Sequence, residues 1–251
     1  MIYVKNIISQ LSIIESMIEE IDFIEEFNYD IDDPKDYVTD IPIIARCAMI
    51  IEQLYDVSRT VRLPLCSFDE NVYYYTGAFW QQIERTIFGK FLSRVACNCG
   101  LNKKMAISAS IVKMLVQQFH SYAGRTEPEN NDDFVKINLS NGTLKIDSEG
   151  CTLEPFSADD FMRYQLPVAY DENAKTNLFQ QFLDRVLPEK ESQDFLAEYI
   201  GYALTNNLKL EQCLMLIGTG ANGKSVVFDI VNALLGNENI THYTLSQLCD
   251  G

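Results

Sequence analysis

Residues 218–225 read Gly-Thr-Gly-Ala-Asn-Gly-Lys-Ser, which meets the spacing G-x-x-x-x-G-K-[ST] at every fixed position. Glycines at 218, 220 and 223 permit a backbone path that side chains would block, positive φ included, so that several N–H groups can converge. A lysine followed by a serine then adds a point charge and a hydroxyl. This combination suits the gripping of a polyphosphate. Gly218, Gly220, Asn222, Gly223 and Lys224 would surround the phosphates of ATP, and Ser225 would ligate a Mg²⁺ ion carried by the nucleotide.

The flanks supply the context such a loop needs. "CLMLIG", residues 213–218, is a short apolar run suited to a buried parallel strand, and "KSVVFDIVNALLG" suits a helix ending before Gly236. Hydrolysis demands more: acids at the end of a second strand to order metal and water, a polar sensor, and an arginine from a neighbour. After Ser225 the acids are Asp229, Glu238 and Asp250, and none of them ends an apolar strand. The expectation is a motor represented only by its first strand, loop and helix, so that this chain alone would not hydrolyse ATP.

A chain of 251 residues holds one large domain or two small ones. Its 47% apolar and 22% charged residues are ordinary for a globular protein, and no apolar run is long enough to span a bilayer. Seven irregularly spaced cysteines argue against a disulfide framework and point to a reducing, cytoplasmic setting. Cys97 and Cys99 lack a second ligand pair for zinc and read as small buried hydrophobes. The net charge of −16 is uneven: residues 1–40 carry eleven acids and two bases. Between 85 and 113 the sign reverses, with Arg85, Lys90, Arg94, Lys103, Lys104 and Lys113 and no acid. That run is either a solvated helix face or a surface that tracks nucleic-acid phosphates.

These groups must be positioned by the rest of the chain. Ile7, Leu11, Ile14, Ile18 and Ile21 repeat at helical spacing, and Pro34 ends that pattern. A second helix is expected over 41–60 and another over 106–120. The stretch from Phe68 begins as a strand, turns at Thr76-Gly77, and is expected to be helical from Trp80 through Ile83, Ile87 and Leu92. "GRTEPENNDD", residues 124–133, is the most loop-like segment and the best boundary. Beyond it the period becomes two. A turn at Asn141-Gly142 would pair Leu139 with Leu144 and Ile137 with Ile146, leaving Asn138 and Lys145 on the other face. "CTLEPF" and "FMRYQLPVAYD" are further candidate strands. Two helices follow, with stripes Leu178, Phe179, Phe182, Leu183, Val186 and Phe195, Leu196, Tyr199, Ile200, Ala203, Leu204.

"GTGANGKS" resembles the phosphate loop of superfamily 3 helicases, in particular the phage/plasmid and poxvirus primase–helicases. Four further stretches are similar to the region ahead of their ATPase, in the same order: "YYYTGAFWQQIERTIFGKFL", "INLSNGTLKID", "YQLPVAYDENAKTNLFQQFL" and "FLAEYIGYALTNN". The resemblance covers about residues 70–251. It implies an α+β fold, mostly helical with a small antiparallel sheet, followed by the first strand, loop and helix of an incomplete α/β AAA+-type ATPase. Periodicity and charge make 1–60 an acidic helical part; the resemblance adds a linker or collar domain at 61–207 and a P-loop start with its Walker A motif at 208–251. It further implies a fragment of a replicative DNA primase–helicase that binds ATP and Mg²⁺, acts on single-stranded or forked DNA, and assembles as a homo-oligomer, a hexameric ring in the family, with no membrane. Nothing matches the acidic catalytic cluster of the primase half. The alternative is a non-catalytic oligomerisation or DNA-docking module without a motor.

Overall fold

The computed structural model describes residues 2–126, 133–205, 211–220, 222–244 and 246–247. The chain forms two compact units, Met1–Pro128 and Glu129–Gly251. The division falls inside the 124–133 loop, and residues 61–207 contribute to both units. The fold class is α+β. Among the described residues no helix is long and apolar enough to cross a membrane.

In the first unit, α1 (Ile2–Ser16), α3 (Ile43–Thr60), α4 (Arg85–Asn98) and α6 (Ala109–Tyr122) pack around one core, with the short α2 (Phe23–Phe27) and α5 (Lys103–Ala106) at its margin. A three-stranded antiparallel sheet, β1 (Leu65–Phe68), β2 (Asn71–Tyr75) and β3 (Trp80–Ile83), joins them. Phe88, Phe91 and Phe119 lie at the centre, Phe88 and Phe119 edge to face at 4.9 Å. The acidic segment 1–60 is therefore part of this core through Ile7, Leu11, Ile14 and α3.

Two expectations for this unit change. The stripe from Ile7 to Ile21 is not one helix. The chain leaves α1 after Ser16, Ile21 N–H donates to Cys99 O at 3.2 Å, and Asp22 caps a new helix by accepting from Ile24 and Glu25 N–H. Pro34 opens a short 3₁₀ turn. Trp80 and Ile83 belong to a strand. Their i, i+3 spacing reflects burial on opposite faces: Ile83 enters the helical core, whereas Trp80 meets Tyr75 and the Arg125 guanidinium. The Thr76 hydroxyl fixes the turn between them, accepting from Phe79 N–H and donating to Phe79 O.

Cys47, Cys66 and Cys99 are buried, and burial pushes the Cys66 and Cys99 thiols up to about 12. They act as small hydrophobes.

In the second unit, β4 (Phe134–Leu139), β5 (Gly142–Asp147) and β6 (Gly150–Glu154) form an antiparallel meander. The hairpin turns one residue earlier than expected, at Ser140-Asn141, so Leu139 pairs with Gly142, Ile137 with Leu144 and Val135 with Ile146. A two-residue slip keeps every side chain on its face, so apolar patterning cannot distinguish the two registers. Backbone proximity can: a Cβ at Gly142 would lie 2.6 Å from Glu154 O, so this glycine is needed within the strand. The other face is only partly solvated, with Lys145 half-buried. Asn138 is buried, and its amide donates to Tyr164 O at 2.7 Å.

"FMRYQLPVAYD" does not form a strand, although it lies along β4. Leu166 N–H donates to Asn138 O, Ser140 N–H to Val168 O, and Asn141 exchanges bonds with the Tyr170 backbone. Pro167, between these contacts, has no N–H to extend a ladder. Three helices complete the unit: α7 (Asn177–Val186), α8 (Lys190–Ala203) and α9 (Lys224–Leu235). Leu183, Leu196 and Val227 are the buried centre of their packing, with Phe179, Phe182, Ile200, Leu214 and Val231 around them. Leu178 and Phe195, expected in the buried stripes, point to solvent. Buried Gln193 locks the α7–α8 turn, donating to Leu187 O and Asp184 Oδ1 and accepting from Gln180.

Two outcomes follow from this packing. Phe88→Ala should lower the stability of the first unit by ~3–5 kcal/mol in denaturant unfolding, since it opens a cavity beside Phe91 and Phe119. The second concerns His120, whose Nδ1 lies 2.5 Å from the buried Ser67 hydroxyl. Burial lowers its pKa from the ordinary 6.5, the Arg85 charge also lowers it, and Glu70 partly opposes them. The unfolded chain thus takes up this proton first as pH falls. The His120 contribution to stability should be complete above its unfolded value of 6.5 and decline as pH falls below it, and His120→Asn should reduce the slope there in urea titrations at several pH values.

Candidate functional site

Helix α9 begins at Lys224, directly after the glycine-rich turn. Gly223 sits at its N-cap with φ 83° and Gly220 has φ 112°, so two of the three glycines occupy backbone conformations that side chains resist. No side chain caps α9, leaving its first-turn N–H groups to other acceptors. Ala221 lies outside the described residues.

The packing of the second unit fixes this helix at both ends. A Cβ at Gly223 would stand 2.8 Å from Phe182 Cζ and 3.0 Å from Val186 Cγ1, so the loop closes directly on α7. At the other end Gly236, with φ 81°, abuts Pro167. There the Asn239 amide donates to Gln165 O and Leu235 O.

Within the loop, Lys224 Nζ donates to Asn222 Oδ1 at 2.6 Å and to Gly218 O at 3.1 Å. Asn222 Nδ2 lies so close to Gly218 that a Cβ there would be 1.7 Å away. Gly218, Asn222, Gly223 and Lys224 are thus brought together. Ser225 is exposed in the first turn of α9.

The expected strand at 213–218 does not form. Residues 211–220 carry no ladder, and Met215 and Ile217 are 74% and 85% exposed. A parallel strand is stable with partners on both edges, and none lies beside this run among the described residues. Only Leu214 of the run joins the helical core. Asp229 is exposed on α9, Glu238 lies in the turn after it, and Asp250 lies outside the described residues.

The six bases of the run 85–113 are all exposed. Arg94 is bound to Glu15 at 2.8 Å, and its charge is spent within the fold. Arg85, Lys90, Lys103, Lys104 and Lys113 have no ion pair among the described residues. Arg85 is the first residue of α4, and Lys103 and Lys104 open α5, where a helix N-terminus disfavours positive charge.

Two features of the first unit could not be assembled from sequence. One is the Ser67–His120 contact, whose partners are far apart in the chain. The other is a groove of about 600 Å³ whose walls include Glu20, Asp22, Glu25, Glu26, Glu52 and Asp56.

A family model described as D5 N terminal like matches residues 48–188, more than half of the chain. The chain belongs to this family. The match supports the phage/plasmid primase–helicase relationship, and it begins at α3, ahead of the residues that carry the resemblance in sequence. The glycine-rich residues 218–225 lie beyond it. No curated protein matches the chain.

Proposed function

We propose that this chain is the part of a replicative primase–helicase of the superfamily 3 type that precedes and includes the phosphate loop of its motor. The observation that carries the reading is the complete loop motif at the uncapped N-terminus of a helix, following a D5 N terminal like region. ATP would be held by the backbone of Gly218, Gly220, Asn222 and Gly223 and by the first-turn amides of α9, with Lys224 on the phosphates. Ser225 would ligate Mg²⁺, which supplies charge neutralisation when bound. DNA unwinding, assembly into a ring and a cytoplasmic location belong to the whole protein in this reading.

Without its strand the loop is held from one side only, so affinity should be modest. A fluorescent ATP analogue should bind the full chain with a Kd weaker than ~10 µM, require Mg²⁺, and lose binding in Lys224→Ala. Affinity identical in wild type and Lys224→Ala would defeat the nucleotide reading.

The unpaired bases favour a second role on the same protein, docking single-stranded DNA. Binding should be indifferent to sequence and should weaken with salt at about −0.7 in log–log slope per phosphate engaged. Reversing Lys103 and Lys104 to Glu should weaken it and flatten that slope. Retention of both affinity and slope would make the five bases a solvated surface.

A further inference from the structure

We infer that Asn222 is a resident competitor for Lys224, whose bond a nucleotide phosphate must displace to engage the ammonium fully; this rests on the nucleotide reading of the loop. Lys224 has three N–H donors, and two are engaged by oxygens of its own loop. The shorter bond, 2.6 Å to Asn222 Oδ1, is charge-assisted. The longer runs to Gly218 O at the opposite end of the loop. The Asn222 amide therefore offers the lysine an oxygen of the kind a phosphate would offer, from within the loop.

The backbone explains why an asparagine can do this. Gly223, between Asn222 and Lys224, is left-handed at φ 83°. That conformation turns the residue before it back across the start of α9. The amide nitrogen then fills the space that a side chain at position 218 would need, 1.7 Å from where its Cβ would stand. The first glycine of the motif is thus required by Asn222 as well as by any close approach of phosphate. Asn222 packs against Gly218 and accepts from Lys224, which itself donates to Gly218 O.

A competitor within the loop subtracts from apparent affinity, because the binding-competent arrangement is reached only after its bond to Lys224 breaks. Removing the amide should free the ammonium. Replacing it by a carboxylate should strengthen the hold on Lys224 and add a negative charge beside the phosphates. The two substitutions therefore act in opposite directions. A residue that merely shaped the loop would weaken binding in both.

The test is titration of the full chain with a fluorescent ATP analogue and Mg²⁺ in wild type, Asn222→Ala, Asn222→Asp and Lys224→Ala, with circular dichroism as a check on folding. The expected result is binding about fivefold tighter in Asn222→Ala and at least about tenfold weaker in Asn222→Asp. Wild-type binding that depends on Lys224 but is unchanged or weakened in Asn222→Ala would overturn this inference and leave the nucleotide reading standing. Absence of saturable binding in both wild type and Asn222→Ala would overturn the nucleotide reading and this inference with it.

Discussion

A helix can offer its first-turn amides to a phosphate only if something other than the phosphate holds the helix. In this protein that holding contact is the junction of Leu183, Leu196 and Val227, where α7, α8 and α9 meet. Gly223 extends it to the loop, since the approach of Phe182 and Val186 leaves no room for a Cβ at the N-cap. The same glycine provides the left-handed turn into α9. One residue satisfies a packing demand and a backbone demand, and the position of Lys224 follows from both.

The arrangement inverts the usual balance of a strand–loop–helix unit. Ordinarily a buried parallel strand anchors the loop from behind and the helix packs on the sheet. Here residues 213–217 leave most of their apolar surface in water, and α9 takes its support from two preceding helices. α9 also exposes Val226 and Phe228, so the segment is apolar on faces that its own unit does not cover. The helix is anchored while the approach to it is not. Lys224 turns onto Asn222 and Gly218, the acceptors nearest to it.

Much of this was legible in the sequence, where local rules and burial agreed. Helix α3, the start of α9 at Lys224 and the antiparallel character of 134–147 follow from periodicity, the glycine-rich motif and binary patterning. The failures share a cause: they depended on partners distant in the chain. The hairpin register turned on Gly142 meeting Glu154, the break after α1 on Ile21 meeting Cys99, and the strand at Trp80 on packing against Tyr75. In the candidate site the motif gave the residues and the helix. It could not give the strand, which depends on neighbouring strands, or the Asn222–Lys224 bond, which depends on the loop's three-dimensional path. The basic run was visible too, but the engagement of Arg94 by Glu15 joins residues on different helices.

The proposed receiver of phosphate is the first turn of α9, held by α7 and α8. Residue-resolved amide hydrogen exchange on the full chain, with and without Mg²⁺-ATP, tests it most directly. Slowed exchange at the amides of Gly223, Lys224, Ser225 and Val226, with little change along the basic run 85–113, is the result this account predicts. Unchanged exchange at those four amides under saturating nucleotide would contradict it.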